Sequence, residues 1–405
     1  MPGTEKFGQE ELKEVMDVMQ TGILFRYNHE AQRNNIWKAK EFEEEVKKIT
    51  GAKYALAVSS GSAAIFAALA ASGIGYGDEV IVPPFTFAAT IEAVMLLGAV
   101  PVFAEIDETL CLSAEGIEKA ITPRTKAVCL VHMCGGMADM SSILEVIKKH
   151  QLILVEDAGQ AFAASYKGTY TGLFGQAGSY SFDFFKIATA GEGGVLVTND
   201  EHTYKMAEYF CDHGHNHEGT NRGMEQHPVV GFNFRISELH AAVGLAQTRR
   251  VPEIKSINRK HKQYLQTLIK NSVNEISFSR LPDKSGDSAT FLNLMLPSTE
   301  TAKIFVEELN KKGIGGFNYW YTNMYHFINQ WDHIKNLKFP NKMAIHYLSI
   351  SQDYNNLYLP KSQEVIGRLV SFGIRVNWTE QEMQQLASGI IDCLKKAIYT
   401  AKHLQ

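Results

Sequence analysis

The chain has 405 residues, 45% hydrophobic and 21% charged, with 40 Lys plus Arg against 44 Asp plus Glu. That is too apolar for a disordered chain, and a net charge of −4 leaves no basic surplus for a large nucleic-acid footprint. The five cysteines (Cys111, Cys129, Cys134, Cys211 and Cys393) never fall in a C-x-x-C spacing, which argues against a zinc site or a disulfide framework and points to a reducing compartment.

The N-terminus lacks the apolar core of a signal peptide, and the longest wholly apolar run, residues 63–71, is far short of the ~20 residues that span a bilayer. A cytoplasmic globular enzyme is the expectation. From residue 37 to about 200, helical and strand patterns alternate. Residues 37–49 read as an amphipathic helix, 54–58 as a strand, 62–72 as an Ala-rich helix, and 79–82 as a strand stopped by Pro83 and Pro84. A helix is expected over 85–97 and strands over 101–104, 126–131, 152–156, 179–182 and 195–198. Unbroken apolar strands separated by helices predict an α/β fold with a mostly parallel sheet covered on both faces. Ligands of such sheets bind beyond the carboxyl ends of the strands, so the loops near Ser59, Pro83, His132, Asp157, Asp183 and Asn199 are the places to search.

Beyond residue 235 the texture changes. Helices are expected over 235–250, 251–269, 301–312 and 379–397, with a strand over 291–296 and an aromatic-rich stretch over 315–331. The division is a large domain, 1–250, with an N-terminal arm or helix, and a smaller C-terminal α/β domain, 251–405.

Three segments carry chemistry. In Val58-Ser-Ser60-Gly61-Ser62-Ala-Ala64 a strand end meets a helix start, where free N–H groups and the helix dipole favour an anion. The competing reading is a serine cap on an Ala-rich helix. In Glu156-Asp157-Ala-Gly-Gln160 the aspartate directly follows a buried strand, where a charge needs a cationic partner such as a protonated pyridine nitrogen, or else caps the next helix. In Ser179-Tyr-Ser181-Phe-Asp-Phe-Phe-Lys186, followed by Gly191-Glu-Gly-Gly194, a lysine sits amid aromatics after a strand end. Burial lowers a lysine's pKa and frees the neutral amine that imine chemistry requires.

Together with Gly231-Phe-Asn233-Phe-Arg235, these segments in this order resemble the sugar aminotransferase family, fold-type I enzymes dependent on pyridoxal 5′-phosphate. The likeness covers nearly the whole chain. It implies that Lys186 carries the cofactor and Asp157 partners its pyridinium nitrogen. It further implies that Gln160 faces the ring oxygen, Phe87 stacks on the ring, and Ser60, Gly61, Ser62 and Ser181 hold the phosphate. Asn233 resembles the phosphate contact donated by the neighbouring subunit, which implies a homodimer. Some relatives are dehydratases with histidine at the lysine position; Lys186 favours transamination.

Within the family the chain is most similar to members that aminate a free sugar acid, through residues 1–3, 25–28, 83–87, 105–112, 131–134, 212–215, 286–289 and 319–321, with Arg222, Gly223 and Pro228. The implied reaction moves an amino group, from glutamate by family resemblance, to the C8 aldehyde of 3,8-dideoxy-8-oxo-manno-octulosonate, for lipopolysaccharide. The alternative acceptor is a nucleotide-linked keto-deoxyhexose, and a catalytically silent sensing module is a third reading that intact Lys186 and Asp157 disfavour. A carboxylate favours bidentate arginine, which nominates Arg26 and Arg222, and less strongly Arg235. Tyr27, His215 and Tyr319 are further substrate candidates. The alternating His213, His215 and His217 suggest a metal, but the sequence places no acidic or cysteine ligand to complete a set, so none is expected.

Overall fold

A computed structural model describes residues 2–219 and 221–403. The chain opens with a 3₁₀ turn, Pro2–Lys6, and helix α1, Gln9–Thr21. There follow α2 (Lys38–Thr50), β1 (Tyr54–Val58), α3 (Gly61–Ala71), β2 (Glu79–Val82), α4 (Ala89–Leu96), β3 (Val100–Phe103) and α5 (Ala114–Ala120). Next come β4 (Thr125–Val131), α6 (Met140–His150), β5 (Ile153–Asp157), a small hairpin of β6 (Ser165–Tyr166) and β7 (Thr169–Tyr170), β8 (Ala177–Ser181), β9 (Gly194–Thr198) and α7 (Glu201–Cys211). The second half holds α8 (Glu238–Arg249), α9 (Val251–Ser272), β10 (Ser277–Phe278), β11 (Phe291–Met295), α10 (Thr299–Lys311), β12 (Phe317–Tyr319), α11 (Asp332–Lys335), α12 (Pro360–Gly367), β13 (Leu369–Gly373) and α13 (Glu380–His403).

The large sheet has the order β1-β9-β8-β5-β4-β2-β3. Strands β3, β2, β4, β5 and β8 pair in parallel, and β9 runs antiparallel to both β8 and β1. Strand alternation divides its side chains between two cores. Val80 and Val82 face one with α3 and α4, while Ile81 faces the other with α2, α6 and α8. A second, antiparallel sheet of order β10-β11-β13-β12 packs under α9, α10 and α13 around a third core.

The division expected at residue 250 falls between α8 and α9, but the chain beyond it is not confined to the second unit. Trp320, Phe327, Trp331, Ile345 and Tyr354 are buried in the same core as Ile65, Val80 and Phe85. Backbone bonds fix that return: Thr86 N–H donates to the His326 carbonyl at 3.0 Å, and Ile328 N–H to the Pro84 carbonyl at 2.9 Å. The aromatic-rich stretch therefore closes over the end of β2 and brings second-half residues to the large sheet. All five cysteines are buried and free. Among the described residues no helix is long and apolar enough to cross a membrane.

Candidate active site

A cleft of about 870 Å³ lies beyond the carboxyl ends of β1, β2, β4, β5 and β8. At its floor α3 begins. Ser60 caps the helix, its hydroxyl accepting from Ala63 N–H at 3.0 Å. The N–H groups of Gly61 and Ser62 belong to the first turn and have no intrahelical acceptor, so they face the cleft as anion donors. A Cβ on Gly61 would lie 2.6 Å from Ser181 Cβ and 2.8 Å from its Oγ, so only glycine lets the end of β8 approach the helix start.

The pair Glu156–Asp157 shows strand alternation separating structure from chemistry. Glu156 is fully buried, bonded to His132 Nε2 at 3.0 Å and accepting from the N–H groups of Gly172, Phe174 and Gly175. Asp157 lines the cleft. Its Oδ2 accepts from Thr90 Oγ1 at 2.7 Å and its Oδ1 from Gly159 N–H at 3.0 Å, which fix the carboxylate without neutralising it.

Lys186 follows β8, and only 16% of its side chain is exposed. Its Nζ is 3.4 Å from Asp183 Oδ2, the same oxygen that accepts from Ser181 Oγ at 3.4 Å. The Phe87 ring is 45% exposed at the cleft wall, 5.6 Å between centroids from His326 and 6.5 Å from Tyr325. Gln160 also lines the cleft, with Oε1 accepting from Cys134 N–H at 3.2 Å. The structure thus brings Ser60, Gly61, Ser62, Phe87, Asp157, Gln160, Ser181 and Lys186 into one cleft. They fit pyridoxal phosphate: an anion cradle, a carboxylate for the ring nitrogen, a flat apolar face and an amine lie around one volume.

The remaining nominees gather elsewhere. Arg26 is 4% exposed, its Nη2 bonded to Glu43 Oε1 at 2.7 Å and its Nη1 donating to the Ala57 carbonyl. Burial works against its charge, but Glu43 and then Tyr27 outweigh it and hold the guanidinium's pKa above its ordinary value. The expectation that Arg26 receives a substrate carboxylate is corrected: its fork is already occupied inside the core. Arg222 likewise grips Asp212 through both Nη atoms, at 2.8 and 2.6 Å, and Arg235 bonds the same carboxylate. Tyr27 stacks on His217 with centroids 4.1 Å apart, and His215 Nδ1 lies 2.9 Å from Glu225 Oε2. Two acids do stand beside the histidines: Asp212, which directly precedes His213 in the chain, and Glu225. Among the described residues no group of three or more His, Cys, Asp and Glu is arranged to hold a metal ion. Asn233 is exposed and bridges to Asp212, outside the cleft. Tyr319 donates to the Gly367 carbonyl at 3.0 Å, and its neighbours Asn318 and Trp320 line the cleft in its place.

Sequence reasoning named the loop at Asp183 without giving that residue a role, and did not single out Thr90, His326 or Arg375. Thr90 lies one helical turn past the Pro83–Phe87 segment, and His326 within the aromatic stretch, but neither carries a motif. Burial, and then the charge of Lys186, depress the His326 ring to a pKa of about 4, so it faces the lysine as a neutral imidazole.

The GDP-perosamine synthase of Caulobacter vibrioides is 42% identical over 219 residues, 53% of this chain and 57% of that protein's length. The chain thus spans little more than half of that curated relative. The crystal structure of an aminotransferase from Psychrobacter cryohalolentis superposes with a TM-score of 0.81 at 27% identity, covering 97% of this chain and 98% of the other. NtdA from Bacillus subtilis, solved with bound cofactor PMP, has the same fold, with a TM-score of 0.80 at 23% identity over 96% of this chain and 83% of its own. A family model matches residues 5–390, and the chain belongs to the DegT/DnrJ/EryC1/StrS aminotransferase family.

Proposed function

We propose that this chain is a pyridoxal-phosphate-dependent aminotransferase that takes an amino group from glutamate and delivers it to the C8 aldehyde of 3,8-dideoxy-8-oxo-manno-octulosonate, giving the 8-amino sugar acid for lipopolysaccharide. The observation that carries the reaction class is the convergence of Asp157, Lys186 and the start of α3 on one cleft. When bound, the cofactor supplies an electron sink for charge developing at the substrate carbon. Asp157, held by Thr90 and Gly159, keeps a proton on the ring nitrogen. Ser181 and the first N–H groups of α3 would hold the phosphate, and Phe87 would pack against the ring. Lys186 Nζ, once free, moves a proton to and from the substrate carbon, and the low exposure of its side chain keeps water from that amine. The sugar-acid acceptor rests on the resemblance of segments spread over both halves of the chain.

A second acceptor class, a nucleotide-linked keto-deoxyhexose, is supported by the relative named for a GDP-linked sugar. We further propose a homodimer with shared sites. Asn233 is exposed outside its own cleft, and Val230 and Phe232 beside it are 94% and 62% exposed, as a surface awaiting a second copy would be.

The test is an absorbance spectrum of the cofactor-loaded protein. Glutamate should abolish the visible band, and the free sugar acid should restore it. A band that ignores every amino donor would overturn the reaction class, and restoration only by a nucleotide-linked sugar would transfer the assignment to the second acceptor.

A further inference from the structure

The sequence nominated three arginines for a substrate carboxylate, and the structure shows all three spent on Glu43 and Asp212. The same holds for nearly every arginine in the molecule. The chain has 11, and the guanidinium groups of all but one bond a carboxylate or a backbone carbonyl. The exception is Arg375, which has no side-chain partner among the described residues and lines the cleft that holds Lys186 and Asp157.

Its surroundings fit a receptor. Arg375 stands where the cleft meets a smaller recess of about 340 Å³ that shares Gly316 and Gly373 with it and continues past Phe372 to Trp378 and Leu386. A Cβ built on Gly315, Gly316 or Gly373 would meet no heavy atom within 4 Å, so there is open volume beside the guanidinium. The backbone beneath is pinned from both sides. Ile374 N–H donates to the Thr290 carbonyl at 2.9 Å, the Arg375 carbonyl accepts from His261 Nδ1 at 2.8 Å, and Val376 N–H donates to Glu5 Oε2 at 2.8 Å. The carboxylate of Glu382, whose charge Arg375 feels, is already bonded to Thr379 N–H and Oγ1. A fixed base, an exposed planar fork with no internal partner among the described residues and open volume at the cleft wall are what bidentate capture of a carboxylate requires.

We infer that Arg375 is the carboxylate receptor of this active site, a binding residue that sets its preference for acid substrates. The inference rests on the aminotransferase reading, in which both substrates carry that group: the α-carboxylate of the amino donor and the carboxylate of the sugar acid. Both would use the same fork in turn.

The experiment measures probe binding by calorimetry to the enzyme loaded with pyridoxal 5′-phosphate, a form from which the probes can take no amino group, comparing wild type with Arg375→Gln and Arg375→Lys. The probes are 2-oxoglutarate for the donor side, 3-deoxy-manno-octulosonate for the acceptor side and GDP for a nucleotide. Loss of a charge-assisted bidentate contact should weaken a carboxylate probe by roughly 10- to 100-fold in Arg375→Gln, with partial recovery in Arg375→Lys. Weakening of 2-oxoglutarate alone assigns the fork to the donor, of the sugar acid alone to the acceptor, and of both to each in turn. The inference is overturned if neither carboxylate probe changes by more than about twofold, if wild type binds neither, or if only GDP depends on Arg375. The spectral response of wild type to glutamate is read separately. A band that responds while the probes ignore Arg375 sinks this inference alone, and a silent band sinks the aminotransferase reading. Arg375 makes no side-chain bond among the described residues, so Arg375→Gln should melt as wild type does, and equal melting temperatures would show that the binding constants compare folded proteins.

Discussion

Replacing Arg26 with methionine separates the two roles that its neighbourhood allows. In the structure Glu43 Oε1 accepts from Arg26 Nη2 and from Ala57 N–H, both at 2.7 Å, and the two side chains are 4% and 9% exposed. Arg26→Met fills the volume but leaves the Glu43 carboxylate buried without its cation. Breaking a buried pair in this way costs about 3–5 kcal/mol. For a chain of 405 residues, with an unfolding entropy of roughly 2.1 cal/mol/K per residue, that is a fall of about 4–6 °C in melting temperature. Arg26→Met with Glu43→Gln should recover most of the loss, because the amide oxygen still accepts from Ala57 N–H while the orphan charge is gone. Differential scanning calorimetry of the three proteins reads the stabilities, and steady-state kinetics with the sugar acid should show KM within about threefold of wild type. An unchanged melting temperature together with a tenfold rise in KM would refute the reasoning and return Arg26 to the substrate.

The phosphate cradle gives a second prediction: Gly61→Ala places a Cβ 2.6 Å from Ser181 Cβ, and because that clash involves the first side-chain carbon, no rotamer relieves it. The end of β8 must shift, at about 1–3 kcal/mol, and cofactor affinity measured by fluorescence titration should fall at least tenfold; unchanged affinity would remove Gly61 from the cradle. Acid stability supplies a third. Burial holds both His217 and His326 at about 4, against an ordinary 6.5, so the unfolded chain takes up their protons first. The stability they contribute is complete above pH 6.5 and is lost as the pH falls towards 4, by up to about 3 kcal/mol for each ring. The melting temperature should drop through that window, less so in His326→Gln, and a flat profile would contradict the burial of both rings. A fourth concerns assembly: Lys186→Ala and Asn233→Ala, each inactive alone, should regain roughly a quarter of wild-type activity after unfolding and refolding as a mixture, since a mixed dimer rebuilds one intact site. Absence of any recovery would count against shared sites.

Much of the cleft was legible because its chemistry is local. A strand end, a small residue and a helix start lie within a few positions of one another, so Ser60 to Ser62, Asp157 and Lys186 could be placed on the correct loops without tertiary knowledge. Strand direction was less accessible. The apolar run of β9 reads the same whether it lies parallel or antiparallel, and only the helix-free link from Ser181 to Gly194, which carries Lys186, makes β9 double back on β8. The aromatic stretch drew notice as a pocket, a core or an interface, and it divides: Trp331 is fully buried, Tyr319 bonds a carbonyl, and His326 faces the lysine.

The arginines show where legibility ends, and why. Whether a guanidinium is free depends on a partner that can lie anywhere in the chain. For Arg26 it is Glu43, on the next helix; for Arg235 it is Asp212, 23 positions earlier. Arg26 and Arg222 sit in segments that resemble functional ones, yet each is spent on an internal acid: Arg26 on Glu43, and Arg222, with Arg235, on Asp212, which bridges to Asn233. Arg375 sits in no motif and was passed over. A cation becomes available to a substrate only when the fold withholds every internal acid from it, and such an absence leaves no mark on the sequence around the residue. Among the described residues ten of the 11 guanidinium groups are bonded internally, and the carboxylate specificity inferred for the enzyme rests on the remaining one, at the cleft wall.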